Sequence, residues 1–147
     1  MRSNPGSLWL IASGWMSVAA SLLHFGCIFG GPDWYRFFGA GEQMARMAEQ
    51  GHWYPTAITL VIAAILAGWA AYAFSAAGLF IGLPLTRTAL VAISAVLLVR
   101  GILGFTPVFL PVPSLAFKLW SSAICLMMGV SFALGTWRAW PMLSARG

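Results

Sequence analysis

Four side chains in this sequence have the chemistry to do more than pack: His24, Glu42, Arg100 and Lys118. An imidazole donates, accepts or carries a proton near neutral pH. A carboxylate takes up protons or pairs with a cation, while guanidinium and ammonium groups suit an anionic or carbonyl-bearing ligand. Each of the four lies within or beside an apolar stretch, where an ionisable group is costly and so marks a place to look for function. Arg100 is the sharpest of them. It falls roughly four residues, or about 6 Å, beyond the midpoint of its stretch at the rise of an α-helix. Even a lenient insertion scale sets a central arginine at about 2.5–3.5 kcal/mol. A specific anionic partner would offset that cost. So would snorkelling of the long stem to the near interface, for which Gly101 and Gly104 leave room.

The other three have competing readings of the same kind. His24 ends a run of Ser13, Ser17 and Ser21 at spacings of four, four and three, which places all of them in one stripe of a helix. Small hydroxyl residues so spaced serve close helix packing, and the histidine is either a satisfied structural residue or a ligand-facing one. Lys118 shares a face with Ser122, Cys125, Gly129 and Thr136, and is either an interface anchor or part of a site. Glu42 follows Gly39-Ala40-Gly41, whose glycines allow close backbone approach. Its carboxylate is expected to reach Arg100 as a salt bridge, closing a small polar cavity with a charge-paired lid.

The elements that must position these groups follow from composition. Of 147 residues, 61% are hydrophobic and 7% charged, where a soluble domain has about 25% charged residues. With a mean hydropathy of +0.86, the outer surface faces hydrocarbon rather than water. Apolar stretches at 8–30, 55–80, 86–105 and 114–137 each approach the roughly 20 residues that cross a bilayer as a helix. The expected fold is an all-α polytopic membrane four-helix bundle, one domain over 1–147, with an interfacial loop helix between spans 1 and 2. That loop, 31–54, holds all three acidic residues, Asp33, Glu42 and Glu49. It reads as aromatic, charged helix at headgroup depth, from Pro32 through Phe38 and again from Glu42 to Gln50, broken at Gly39-Ala40-Gly41.

Gly82-Leu83-Pro84 predicts a tight turn between spans 2 and 3, with Gly ending one helix. Thr106 to Pro113 carries three prolines and predicts an extended interfacial plug. Ala64, Gly68, Ala71, Ser75 and Gly78 predict a helix-packing face. Trp9, Trp34, Trp53, Trp120, Trp137 and Trp140 fall near span ends, as belt anchors do. The apolar run continues past Val18-Ala19-Ala20 to Gly30, so an uncleaved first span is expected.

The net charge of +5 comes from basic residues scattered singly, which argues for membrane orientation and against nucleic acid. Arg2, Arg87, Arg138 and Arg146 lie on the terminus side and Arg36, Arg46 and Lys118 opposite, which places both termini in the cytoplasm. Cys27 and Cys125 have no CxxC spacing and His24 has no second histidine at i+3 or i+4, so no metal is expected.

The sequence of elements, with the turn Gly78-Leu79-Phe80-Ile81-Gly82-Leu83-Pro84-Leu85-Thr86-Arg87, resembles the DoxX-like group of small bacterial membrane proteins. The resemblance implies a bacterial inner-membrane location, and some members of that group are membrane subunits of quinone-linked oxidoreductases. It carries no catalytic residues across. From the residues themselves, the expectation is a non-catalytic protein with its site at the non-cytoplasmic mouth. That site would bind a lipid-like or quinone-like molecule, a membrane subunit or a second copy. Arg100 and Lys118 would hold the polar group, His24 would hydrogen-bond it and Glu42 would close over it. The rival expectation is a proton-transfer or redox enzyme using His24 and Glu42 as acid and base.

Overall fold

In hydrocarbon no water is available to pair with backbone N–H and C=O groups, so a chain this apolar satisfies them inside helices. The computed structural model describes residues 4–79, 81–106 and 115–145. Its elements are α1 (Ser7–Phe37), α2 (Glu42–Glu49), α3 (Trp53–Ala77), α4 (Thr86–Gly104) and α5 (Leu115–Ala145). All but α2 are long and apolar enough to cross a membrane. The protein is an all-α, multi-pass membrane protein.

The four spans form two hairpins. α1 packs most extensively on α3 and α4 on α5, α1 also lies against α5, and α3 meets α4 lightly. The main core gathers Leu10, Ala73, Leu90, Ile93, Met128 and Phe132 from all four spans. Around it the serine stripe of α1 is inward, with Ser13 and Ser17 at 0% exposure and Ser21 at 7%. The face of α5 bearing Lys118, Ser122, Gly129 and Thr136 is buried too. α1 and α5 touch backbone to backbone near the termini: a Cβ on Gly6 would overlap the Gly135 carbonyl, and one on Gly135 would lie 2.8 Å from the Leu10 side chain.

Three features depart from the sequence reading. First, no loop precedes the expected helix at 32–37: within α1 two helices meet directly at a sharp kink, where Gly31 takes non-helical angles (φ 66°, ψ −152°) just before Pro32. A Cβ on Gly30 would overlap the Trp34 ring, so that ring folds back onto the glycine face of the span. The break at 39–41 stands where expected, with Gly39 and Gly41 at φ 70° and 103°. Second, Gly78 rather than Gly82 ends α3. Gly78 is left-handed, and the N–H groups of Gly78 and Leu79 donate back to Ser75 and Phe74, a C-terminal cap that needs glycine at that position. Third, only part of the small-residue stripe of α3 faces the bundle. Ser75 is buried along with Thr59, Ala63, Leu66, Ala70 and Ala73, while Ala64 is exposed and a Cβ on Gly68 would meet nothing within 4 Å. Small side chains recur on both faces of this Ala-rich helix, so spacing alone cannot pick the buried one. The proline-rich connection 107–113 lies outside the described residues.

Candidate functional site

The structure brings Arg100 and Lys118 to one end of the α4–α5 hairpin, joins neither Glu42 nor His24 to them by a bond among the described residues, and corrects one pairing. Glu42 does not reach Arg100. Its carboxylate is held by Arg36, with Nε 2.9 Å and Nη2 3.1 Å away, and by Arg46 Nε at 3.2 Å. Arg36 also binds Glu49 at 2.7 Å and Asp33 at 3.5 Å. All three carboxylates therefore converge on one guanidinium. The reason is local: Arg36 lies on the helical extension past the kink, next to the 39–41 reversal that folds α2 back beside it. Hydrogen bonds from Arg36 and then Arg46 lower the Glu42 carboxyl from its ordinary 4.5 to about 2. A carboxylate so firmly ionised is poorly matched to general-base work near neutral pH.

Beneath this network α2 seats Ala45 against Cys27 and Tyr35 in a second small core. The Tyr35 hydroxyl lies 3.2 Å from Thr59 Oγ1, which itself donates to the Pro55 carbonyl at 2.6 Å. Tyr35 therefore donates to Thr59, a buried tie from the kinked end of α1 to α3. Sequence reasoning passed over Arg36 and Tyr35. The Asp33–Arg36 and Glu42–Arg46 spacings of three and four were legible as helix pairs, but the six-residue Arg36–Glu42 link exists only once the chain reverses.

His24 is half-buried. Its Nδ1 lies 2.7 Å from the Ala20 carbonyl. That acceptor requires Nδ1 to carry the proton, which leaves Nε2 as the lone-pair nitrogen of the neutral ring.

Arg100 and Lys118 come together at the far end of the α4–α5 hairpin. Lys118 is 8% exposed, and its ammonium donates to the Thr106 carbonyl at 2.5 Å. The Lys118 carbonyl in turn accepts the Ser122 hydroxyl at 2.6 Å. A Cβ on Gly104 would overlap that hydroxyl and lie 3.1 Å from Arg100 Nη1, so the Arg100 guanidinium lies over Gly104 beside Ser122. Arg100 is nonetheless exposed, and among the described residues no carboxylate is within ion-pair distance of it. The arrangement suits holding a polar group, with a free guanidinium at the surface and a neighbouring lysine already committed to the backbone. Among the described residues, no group of three or more His, Cys, Asp or Glu could hold a metal ion, and both cysteines are free thiols.

At the opposite end, where sequence reasoning expected nothing, a cavity of about 900 Å³ opens between the α3–α4 turn and the end of α5. Ser75 shapes it: its hydroxyl donates to the Ile81 carbonyl at 2.8 Å and accepts the Leu83 N–H at 3.0 Å. The turn then enters α4 through Leu85 in the left-handed region (φ 55°). Searches of family models, curated proteins and solved structures find no match to this chain.

Proposed function

We propose that this is a non-catalytic membrane protein that binds a lipid-like or quinone-like amphiphile through an anionic or carbonyl head, at the membrane face opposite its termini. The carrying observation is Arg100: exposed on a span, about 7 Å past the helix midpoint at 1.5 Å per residue, and without a carboxylate among the described residues. With every acidic side chain drawn to Arg36, the counter-charge to Arg100 comes from outside the chain. Guanidinium recognises phosphate or carboxylate through a planar, bidentate fork and donates equally well to a carbonyl. Gly101 and Gly104 keep α4 low beside it.

In this reading α2, which packs on α1 and α3, keeps its carboxylates on Arg36 and does not close the site. Lys118 fixes the hairpin end, and His24 Nε2 is available to a ligand hydroxyl. The resemblance to the DoxX-like group supports placement in a bacterial inner membrane, and the count of basic residues on each side supports cytoplasmic termini.

The test is native mass spectrometry of gently purified protein. Arg100→Leu is expected to insert normally and to lose the small molecule that co-purifies with the parent. Identical retention by parent and variant would refute the reading. Membership of a larger assembly is a second reading, favoured by the outward small face of α3, where Ala64 and Gly68 leave space for another span to approach closely.

A further inference from the structure

The cavity at the α3–α4 turn belongs to neither of these readings. It lies at the terminus side, about 900 Å³ in volume and lined by Gly82 to Thr88, Val91, Trp140 and Leu143, a size that accepts a substantial organic group. Among the described residues of its wall, Arg87 is the one ionisable side chain. The guanidinium carbon stands 4.5 Å from the centre of the Trp140 ring, a cation–π contact that holds the cation beside the cavity. No carboxylate is within ion-pair distance of Arg87 among the described residues, and Asp33, Glu42 and Glu49 are all at the opposite end around Arg36. Two of the three hydroxyls among the described wall residues are donated within the turn, Ser75 to the Ile81 carbonyl and Thr86 to the Leu83 carbonyl at 2.5 Å; the third is that of Thr88.

We infer that this cavity seats the phosphate-bearing headgroup of an anionic phospholipid from the leaflet on the terminus side, with Arg87 as its charge contact. The depth argues for a lipid over a soluble anion. Trp140 is a boundary tryptophan, at the level where headgroups lie. On the membrane side, the wall continues into Val91, 49% exposed on the outer face of α4, along which an acyl chain can run. The N-terminus of α4 has no side-chain cap, and its first residues Thr86, Arg87 and Thr88 line the cavity, a helix end whose dipole has the right sign for an anion. This site is independent of Arg100, at the other end of the same helix.

The experiment is native mass spectrometry of protein released from nanodiscs, made either with phosphatidylcholine alone or with phosphatidylglycerol added, counting lipids retained per chain. The parent is expected to retain a phosphatidylglycerol that Arg87→Gln holds about fivefold less well, the equivalent of about 1 kcal/mol per basic contact. Arg138→Gln, on the same side but outside the cavity wall, is expected to retain it as the parent does. A second variant, Ala92→Phe, fills the cavity while keeping Arg87 and is expected to lose the lipid too; helicity by circular dichroism confirms that each variant is folded. Equal retention by Arg87→Gln and the parent overturns the inference. So does equal loss in Arg138→Gln, which would mean diffuse surface charge. Displacement of the lipid by millimolar inorganic phosphate would overturn the lipid assignment in favour of a soluble anion.

Discussion

At the scale of single residues, the serine stripe of α1 separates into members with different energetic roles. The Ser21 hydroxyl crosses to the Ala63 carbonyl of α3 at 2.8 Å, whereas the Ser17 hydroxyl is buried without a hydrogen-bond partner among the described residues. An orphaned buried hydroxyl costs stability, and an interhelical hydrogen bond in a membrane contributes on average about 0.6 kcal/mol. Ser21→Ala is therefore expected to destabilise the protein by about 0.5–1.5 kcal/mol, and Ser17→Ala to leave it unchanged or slightly more stable. Reversible unfolding in mixed micelles checks both, and the opposite ranking would contradict the assigned bonds. Lys118 gives a sharper case: Lys118→Met would strip the Thr106 carbonyl of its donor and is expected to cost about 1–3 kcal/mol in the same assay. The stripe itself was legible as spacing, because period decides which residues share a face. Which hydroxyl finds a partner was not, because that depends on the carbonyl opposite it on another helix.

At the scale of elements, α2 is an amphipathic helix pinned by charge. Glu42 has a depressed pKa in the folded state, so its contribution is complete above its ordinary 4.5 and is lost as pH falls towards about 2. The protection of the α2 amides, their exchange relative to the intrinsic rate at each pH, is expected to hold down to about pH 4.5 and to fall between there and pH 2. Glu42→Gln should show the lowered protection at neutral pH. Protection in α2 that ignores pH across that window would mean the ion pairs do not hold it. The four spans were readable from apolar length, since backbone pairing in hydrocarbon leaves few options, but not all their ends: α3 stops at Gly78 and α5 continues to Ala145. The ion-pair partner of Glu42 was not: an i,i+4 link is a local property, whereas the Arg36 link depends on the angle at which the chain turns at 39–41. The same limit applies to the α3 face, and it yields an expectation: Gly68→Ala meets no neighbour and should raise stability by about 0.5–1 kcal/mol through helix propensity alone. Destabilisation instead, in the unfolding assay, would mean that another span occupies that face.

At the scale of the whole molecule, charge is distributed by end. Acids and their guanidinium partners cap one end, and Arg87 and Arg138 stand at the other against Trp140 and Trp9. The proposed orientation is checked with single-cysteine variants on a background lacking Cys27 and Cys125. An impermeant thiol reagent is expected to label Gln50→Cys in intact cells and Ser144→Cys only after lysis; the reverse pattern would invert the protein. The asymmetry was visible in the sequence, but its meaning was not. A cavity forms where a capped turn and the end of α5 diverge, and no residue type announces a gap. The pairing of spans has a further consequence. Because α1 with α3 and α4 with α5 are the extensive contacts, each half of the chain can finish its own hairpin before meeting the other. The first half needs nothing from the second to form its Ser21 bond. The protein can thus be assembled from two separately translated pieces divided at Gly82, which should find each other in the bilayer through the bare-backbone seat at Gly6 and Gly135.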